Sequence, residues 1–335
     1  MKLVSYLSNS AEHLGLFVEG EIYNLHAADS DIPDEMNRFL AGGVKILEKA
    51  GQINADILSG KSNVAPEKDY QLLAPVPHPT SCRDGYAFRQ HVAAARLNRR
   101  VEMIAEFDQY PVFYFTNHNS IVGPGEIEFM PDHFHKLDFE LEVAAVIGRR
   151  GRNIRAAHAD EFIAGYMIMN DFSARTLQME EMLLNLGPAK GKDFATATGP
   201  WMVTPDELVP YRVNPKAGHA GNSYALEMSC RVNGVEVSRG SMADMDWTFA
   251  EIIERCSYGV DLLPGDVIGS GTVGTGCFLE LNGTGLLNNP DYTTQWLGEG
   301  DVVELEITGL GTLRNVIRKA NSDYSILQLK KTGES

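Results

Sequence analysis

The chain is poor in cysteine, and its few cysteines are not spaced as metal or redox motifs. Only four occur among 335 residues, at positions 82, 230, 256 and 277. None of them forms a Cys-x-x-Cys pair, so the sequence supports neither a zinc ribbon nor a thiol–disulfide redox site. We therefore expect reduced thiols and a cytoplasmic protein.

Long apolar runs are also missing. No segment approaches the roughly 18 apolar residues of a transmembrane helix. The stretch from Met1 to Tyr6 has neither a sustained apolar run nor a small-residue cleavage site, so we expect no signal peptide. Without secretion, the sequon Asn282-Gly283-Thr284 is read as a chance match in a turn.

Basic residues are scarce relative to acidic ones. Lys and Arg total 29 against 45 Asp and Glu, which gives a formal net charge of -16. This balance argues against nucleic acid and anionic membranes as partners. Solubility alone accounts for most such charge, although an acidic protein also suits the gathering of divalent cations.

The chain divides at a proline-rich connector. Short strands are expected at 3–7, 14–18 and 21–25, with a turn at Glu19-Gly20 and a helix near 32–50. The connector at 73–79 contains three prolines and cannot be helical. We predict a small β-rich N-terminal domain at 1–75 and a larger domain at 76–335.

In the larger domain, strands and helices alternate without a fixed repeat. Helices are predicted at 83–98, from 157 through 161 onward, at 173–186 and at 248–256. Strands are predicted at 138–148, 164–170, 199–203, 225–238, 266–270, 277–281 and 301–307. Because strands dominate towards the end, the pattern predicts an α+β fold, mostly β, rather than a doubly wound sheet.

A glycine-rich segment at 269–274 fits the pattern G-x-G-x-x-G of dinucleotide-binding proteins. Such a site needs a helix whose N-terminus meets the pyrophosphate. The residues that follow, Cys277 to Leu281, are interpreted as a strand, which argues against a nucleotide site.

Acidic residues alternate with apolar ones immediately before an apolar run. In a strand, Asp138, Glu140 and Glu142 would share one face, and Val143 to Ile147 continue as a buried strand. Carboxylates leading into a core need a cationic partner. A divalent metal and a solvated strand edge both explain the pattern.

Three other segments carry polar residues at informative spacings. On a helix, Asp84 and His91 would share one face. Asp171 ends an apolar strand and precedes Arg175 and Gln178, where it could equally be a helix N-cap. Lys192 lies in a glycine-rich loop. It could bind a phosphate, donate to an oxyanion or be a solvated surface residue.

Together these residue types form a coherent set. Four carboxylates (Asp84, Glu140, Glu142 and Asp171) could bind a hard cation such as Mg²⁺. Arg175, Gln178 and Lys192 could stabilise a developing negative charge. His91 could act as a general base.

Over roughly residues 80 to 320 the chain resembles the fumarylacetoacetate hydrolase family, and it is most similar to the bacterial fumarylacetoacetase-like members. Five motifs appear in the family's order. They are Asp84 to His91, Leu137 to Glu142, Met169 to Arg175, Gly191 to Phe194 with Gly199-Pro200-Trp201, and Ser270-Gly271-Thr272 leading to Gly276 to Leu281.

The resemblance implies a mixed β-sandwich roll as the catalytic domain and assigns roles to individual residues. A divalent cation, Mg²⁺ or else Mn²⁺ or Ca²⁺, would be held by Asp84, Glu140, Glu142 and Asp171, so Asp138 is not a ligand. His91 would be the general base, oriented by Glu280. Arg175, Gln178 and Lys192 would stabilise an oxyanion. Substrate oxygens would meet Tyr86, Tyr114, Thr272 and Arg100, or Arg99 if the match shifts by one residue.

The implied activity is metal-dependent hydrolysis of a carbon–carbon bond in a β-diketo acid, by a cytoplasmic homodimer in aromatic-compound catabolism. The substrate would be fumarylacetoacetate or an acylpyruvate-like compound. The chain departs from the family between His91 and Tyr114, where the pocket is shaped. Decarboxylation of oxaloacetate, isomerisation or hydration of a keto acid, and non-catalytic binding of a cation or keto acid remain alternatives.

Overall fold

The structure, a computed structural model, describes residues 1–331. The N-terminal part contains β1 (Lys2–Ser8), β2 (Ala11–Val18), β3 (Glu21–Asn24), α1 (Leu25–Ala28), α2 (Met36–Ala41), α3 (Gly43–Leu58) and β4 (Gln71–Leu72). The predicted turn at Glu19-Gly20 is present, since Val18 pairs with Glu21 across it. The predicted helix at 32–50 is divided between α2 and α3 at Gly43, whose φ of 66° suits glycine.

The middle of the chain supplies most of the central strands. It contains β5 (Cys82–Gly85), α4 (Arg89–Asn98), β6 (Phe113–Thr116), β7 (Ile121–Val122), β8 (Gly125–Phe129), β9 (Leu137–Asp138), β10 (Leu141–Ile147), β11 (Gly151–Arg152), α5 (Ala156–Ala159), β12 (Ile163–Asp171), β13 (Ser173–Ala174), α6 (Arg175–Met182) and β14 (Thr196–Val203). The predicted strand at 138–148 is thus interrupted at residues 139–140.

The last third returns to antiparallel strands. It contains β15 (Arg212–Val213), β16 (Ser223–Tyr224), β17 (Glu227–Val232), β18 (Val235–Ser241), α7 (Phe249–Ser257), β19 (Asp261–Leu262), β20 (Val267–Gly269), α8 (Phe278–Asn288), β21 (Val302–Ile307) and β22 (Gly311–Lys319). The predicted strand at 225–238 is a hairpin of β17 and β18.

Within residues 1–331, two large sheets carry most of the strands, and three two-stranded sheets accompany them. The larger has the order β3-β2-β1-β14-β12-β10-β20-β5-β6, and the smaller has the order β18-β17-β21-β22-β8. Strands β21 and β22 contact β12, and β22 also contacts β14. The main apolar core lies between the sheets and includes Val143, Ile168 and Leu305. The prediction of a mostly β, α+β fold is confirmed.

Strand β10 is buried on both faces, which explains its near-continuous apolar run. Val143 and Ala145 belong to the core between the sheets, whereas Ala144 and Val146 pack with the N-terminal helices in a second core. Among the helices of residues 1–331, none has the length and apolar character that crossing a bilayer requires.

The first 75 residues are joined to the rest of the chain through the larger sheet. Strand β1 pairs antiparallel with β14, with Leu3 opposite Met202. The N-terminal strands therefore extend the sheet that carries β10 and β12. A division between residues 75 and 76 remains a prediction, and residues 332–335 of the second predicted domain lie outside the described part.

Two sequence-based predictions of secondary structure were wrong. Residues 82–85 form strand β5, paired with β20, so the helix predicted from residue 83 begins only at Arg89. The strand predicted at 277–281 is the first part of helix α8. The sequon at residues 282–284 consequently lies in this helix and not in a turn.

Candidate active site

A cavity of about 690 Å³ opens beside the ends of the central strands. Ten of the thirteen predicted site residues line it: Asp84, Tyr86, His91, Tyr114, Glu140, Arg175, Gln178, Lys192, Thr272 and Glu280. Glu142 and Asp171 are fully buried beneath its floor. Arg100 alone is not brought to the site.

The pairing of neighbouring strands brings the predicted metal ligands together. Leu141, between Glu140 and Glu142, is opposite Asn170 of β12, which precedes Asp171. On the other side of β10, Ala144 pairs with Gly269 of β20, and Gly269 pairs with Asp84 of β5. The acids therefore come from three strands at the same end of one sheet.

Glycines make room for Asp84 between those strands. A Cβ added at Gly269 would lie 2.4 Å from Asp84 Oδ1, so a larger residue there would displace the carboxylate. The N–H of Gly271, whose φ is 78°, donates a hydrogen bond to the same oxygen at 3.0 Å. The glycine-rich segment 269–274 thus supports the carboxylate cluster.

The carboxylates form a strongly electronegative group. One oxygen from each of Asp84, Glu140 and Glu142 lies within 4.8 Å of the other two. Burial and the charge of Asp171 raise the pKa of Asp84 to about 7. Burial and the neighbouring acids likewise raise the pKa of Glu142 well above its usual range. The group is therefore costly without a cation.

The donor atoms fit a hard divalent cation. Glu142 Oε2 and Asp171 Oδ1 are buried and make no hydrogen bond to residues 1–331. Five buried carboxylates lie in this region: Asp84, Asp138, Glu140, Glu142 and Asp171. The buried cations among them are two, Arg175 and Lys192. Carboxylate oxygens are the ligands that Mg²⁺ and Ca²⁺ prefer.

Two cations hold Glu140 in place. Arg175 Nη2 donates to Glu140 Oε1 at 2.8 Å, and Lys192 Nζ donates to Glu140 Oε2 at 2.5 Å. Lys192 also donates to Asp171 Oδ2 at 2.9 Å. Burial opposes ionisation of Glu140, but these cations prevail and lower its pKa to about 2. Glu140 is therefore ionised at neutral pH.

Asp138 has a different environment from the other acids of its motif. Its carboxylate accepts hydrogen bonds from Arg175 Nε at 2.9 Å and from the N–H groups of Phe278 and Leu279 at 2.8 and 2.9 Å. Its oxygens are thus saturated by the chain, which agrees with its exclusion from the ligand set.

The hydrogen bonds of Asp138 to helix α8 argue against a nucleotide site at the glycine-rich segment. A helix does follow the glycine-rich segment, so the predicted strand was the wrong reason to reject that function. However, Asp138 already occupies the N-terminus of α8, where a phosphate would have to bind. The helix N-terminus is therefore taken by a carboxylate of the chain itself.

His91 and Glu280 form a buried pair. His91 Nδ1 lies 2.6 Å from Glu280 Oε2, and the N–H of Thr275 donates to Glu280 Oε1 at 3.0 Å. Because a carboxylate accepts, Nδ1 carries the proton and Nε2 of the neutral ring is a base. The pair joins helix α4 to helix α8. Asp84 and His91, expected on one helix, instead come from β5 and α4.

The amide of Gln178 has a defined orientation. Arg175 Nη1 donates to Gln178 Oε1 at 2.9 Å. A guanidinium group has no acceptor, so the oxygen must face Arg175 and the NH₂ group remains available on the cavity side. Gln178 and Lys192 thus bring donors to the wall that also carries Glu140.

The predicted substrate contacts are placed unequally. Tyr86 lines the cavity beside the His91 ring. Tyr114 donates its hydroxyl hydrogen bond to Asp171 Oδ2, and Thr272 donates to Glu142 Oε1 at 3.3 Å. Both hydroxyls therefore contact predicted metal ligands directly.

The structure does not bring Arg100 to the cavity. Arg100 lies beyond the end of helix α4 with a φ of 57°, is exposed and does not line the cavity. Arg99 does line it. Arg99 directly follows the last residue of α4, and of the two arginines it is the one that reaches the cavity, as in the match shifted by one residue.

Asn98 is one of the cavity residues that the sequence analysis missed. Asn98 donates from Nδ2 to the backbone carbonyl of Glu280 at 3.1 Å. It follows His91 by seven residues in α4, so helical spacing from the base would have identified it.

Comparisons with known proteins identify a family for this chain. The chain matches the family described as fumarylacetoacetate (FAA) hydrolase C-terminal over residues 80–318. It is 30% identical over 315 residues to a human protein named oxaloacetate tautomerase FAHD2A, mitochondrial, covering 91% of this chain and 87% of that protein.

Two solved structures share the fold. One is a fumarylacetoacetate hydrolase from Exiguobacterium antarcticum, with a TM-score of 0.69 and 24% identity. The other is a maleylpyruvate hydrolase from Sphingobium sp. SYK-6 in complex with manganese(II) and pyruvate, with a TM-score of 0.67 and 20% identity. Each match covers 96% of this chain and 100% of the other.

Proposed function

The chain belongs to the fumarylacetoacetate hydrolase family, and on that premise we propose that it is a metal-dependent enzyme that hydrolyses a carbon–carbon bond in a β-diketo acid. The substrate would be fumarylacetoacetate or an acylpyruvate-like compound. The observation that carries the proposal is the His91–Glu280 pair, 2.6 Å apart, on the cavity that also exposes Asp84 and Glu140.

The cation that we propose is Mg²⁺, with Mn²⁺ or Ca²⁺ as substitutes. Asp84, Glu140, Glu142 and Asp171 would hold it, and the orphaned oxygens of Glu142 and Asp171 support this assignment. A structural neighbour was solved with manganese(II). When bound, such a cation acts as a Lewis acid that polarises a carbonyl and stabilises an enolate.

His91 is proposed to activate water. Glu280 fixes the ring with Nδ1 protonated, so Nε2 can take a proton from a water molecule in the cavity. The hydroxide oxygen then bonds to the acyl carbonyl carbon. Glu280 also stabilises the imidazolium ion that this transfer creates.

Gln178, Lys192 and Arg175 are proposed to stabilise the resulting oxyanion. The bond between the acyl carbon and its neighbour then breaks, and its electron pair remains on the departing keto acid as an enolate. The imidazolium of His91 returns the proton to that carbon. One water molecule is consumed, and a carboxylic acid and a keto acid are released, pyruvate in the case of an acylpyruvate.

Tautomerisation of oxaloacetate is the second candidate, and the name of the human relative favours it. Proton transfer by His91 would suffice for that reaction, without attack by water. Decarboxylation of oxaloacetate and isomerisation or hydration of a keto acid need the same cavity. A non-catalytic protein that binds a cation or keto acid would need no base.

The test is turnover by metal-quantified protein. Acylpyruvate with Mg²⁺ should lose its enol absorbance and yield pyruvate plus the free acid by NMR. His91→Ala should reduce kcat by at least about 10²-fold, whereas the exposed control His135→Ala should not. Tautomerisation of oxaloacetate without acylpyruvate cleavage would favour the second candidate, and full activity of His91→Ala would contradict the mechanism.

We further propose a cytoplasmic homodimer that acts in aromatic-compound catabolism on a keto-acid substrate, with neither nucleic acid nor membrane as a partner. The acidic composition supports the last point. Light scattering on the purified protein tests the dimer directly.

A further inference from the structure

We propose that the acyl group of the substrate is bulky and uncharged, so that the enzyme prefers aryl or long-chain acylpyruvates to acetylpyruvate and to oxaloacetate. The inference rests on the proposed function and specifies the substrate class of the same site. It follows from how polarity changes along two helices that line the cavity.

Both helices begin at the same buried carboxylate. Arg175, the first residue of α6, binds Asp138 through its side chain, and the first two residues of α8 bind Asp138 through their N–H groups. Residues further along each helix therefore lie further from the catalytic end of the cavity.

On α6, the cavity-lining residues change from polar to apolar. Arg175 and Gln178 are followed by Met179 and Met182, and all four line the cavity. Seven residues of α-helix span about 10 Å, so Met182 lies roughly that far along the helix from Arg175. The same face thus carries oxyanion donors at its start and flexible apolar side chains at its end.

Helix α8 also presents an apolar side chain well beyond its first turn, in addition to Leu279 beside Glu280. Glu280, the partner of His91, is in the first turn, and Leu286 lines the cavity six residues later. That separation is about 9 Å along the helix. Two independent helices therefore place apolar side chains about two turns from the reacting groups.

Other segments complete the apolar wall with Val112, Phe113 and Trp296. Several of these side chains are open to the cavity: Val112 is 43% exposed, Met182 42% and Leu286 44%. An exposed apolar patch that lines a cavity is typical of a ligand-binding surface. An acyl group of matching polarity would cover it.

The polar groups of the cavity do not favour a charged acyl group at this wall. The Asn282 amide is saturated by the backbone of Gln295. Asn98 is bound to the carbonyl of Glu280. Arg99 lines the cavity and donates from Nε to the carbonyl of Ala95 at 3.1 Å, and we assign its guanidinium group to the carboxylate of the pyruvoyl moiety. Lys136 is exposed and lies over the Trp296 ring, with Nζ 5.7 Å from its centre.

The size of the cavity leads to the same conclusion. Its volume of about 690 Å³ is in the range that encloses a drug-sized ligand. Oxaloacetate has only about nine non-hydrogen atoms and would leave most of the apolar wall in contact with water.

The experiment compares four substrates with Mg²⁺-loaded protein: benzoylpyruvate, acetylpyruvate, fumarylpyruvate and oxaloacetate. We expect kcat/KM for benzoylpyruvate to exceed that for acetylpyruvate by at least about ten-fold. In Met182→Gln and Leu286→Gln this ratio should fall about ten-fold. Leu287→Gln is the matched control, because Leu287 is 41% exposed on the same helix but does not line the cavity.

Equal or better turnover of acetylpyruvate, fumarylpyruvate or oxaloacetate would overturn the inference and leave acylpyruvate hydrolysis intact. An unchanged substrate ratio in both glutamine variants would also overturn it. If the protein cleaved none of the three acylpyruvates, that result would instead contradict acylpyruvate hydrolysis as the proposed function.

Discussion

Asp138 and Arg175 form a fully buried ion pair in which Arg175 Nε donates to Asp138 Oδ2 at 2.9 Å. The same carboxylate accepts the first two N–H groups of α8. One acid that touches no predicted substrate atom thus orients an oxyanion donor and the helix that carries Glu280.

Replacing Asp138 with asparagine should separate positioning from metal binding. Asp138→Asn leaves the charge of Arg175 less compensated, and breaking a buried pair costs about 3–5 kcal/mol of unfolding free energy. We expect kcat to fall by at least about 10²-fold. Calorimetric affinity for Mn²⁺ should stay within a few-fold, because Asp138 is not a ligand. Loss of Mn²⁺ binding by folded protein would contradict this assignment.

The link between Asn98 and Glu280 should tune the base. Asn98→Ala removes the hydrogen bond to the Glu280 carbonyl and loosens α4 against α8, where a Cβ at Gly283 would already lie 2.3 Å from Asn98 Nδ2. We expect kcat to fall by about ten-fold with little change in KM, and the lower limb of the pH–rate profile to move. The control is Leu97→Ala, since Leu97 is exposed on the same helix.

If Asn98→Ala and Leu97→Ala reduced kcat by the same factor, the Asn98 contact would be merely structural. An unchanged pH profile in Asn98→Ala would lead to the same conclusion, because an altered position of His91 relative to Glu280 must alter the proton affinity of the ring.

Glu142→Gln should have opposite effects on stability with and without metal. In metal-free protein, removing one of several repelling buried carboxylates should raise the Tm, since burial and Asp84 already raise the pKa of Glu142. In the parent, Mn²⁺ at 100 times its Kd should add about 2.7 kcal/mol to the unfolding free energy. That increase should largely disappear in Glu142→Gln.

Scanning calorimetry with EDTA and with Mn²⁺ provides the measurement. The exposed Glu48→Gln serves as a control that changes net charge equally but lies on α3. A metal-induced increase in Tm that is as large in Glu142→Gln as in the parent would remove Glu142 from the ligand set.

His133 should make stability depend on pH in the acid range. Burial and Lys190 lower its pKa to about 4, below the usual 6.5, as its ring stacks on Phe194. Between pH 6.5 and 4 the unfolded chain binds the proton and the folded protein does not, so stability falls as the pH falls through that window. Urea unfolding of His133→Asn should show a weaker dependence than the parent, while the exposed His135→Asn should match the parent.

The periodic pattern of apolar and polar residues predicted most helices and strands, because such a pattern depends only on neighbouring residues. The alternation at 138–142 and the apolar run after it indicated β10. The helix at 248–256 was predicted within one residue of α7, where Thr248 and Glu251 form a capping box.

The failures arose where distant residues decide the conformation. Cys277 to Leu281 is a short apolar run that was interpreted as a strand, but Asp138, 140 residues before Phe278, accepts hydrogen bonds from the N–H groups at the start of a helix there. Residues 83–85 were assigned to a helix because the pairing of β5 with β20 involves residues about 185 positions later. Local propensity carries no information about such partners.

The sequence by itself determined the chemical inventory of the site: four acids, two cations and one histidine, with Glu140 and Glu142 two residues apart at the start of β10. Only the tertiary structure decided which of these residues meet. The pairing of β12, β10, β20 and β5 brings the acids together, and the fold places Arg99 but not Arg100 at the cavity. Contacts between residues far apart in the chain form only when the sheet assembles and the core is buried, so no local pattern encodes them.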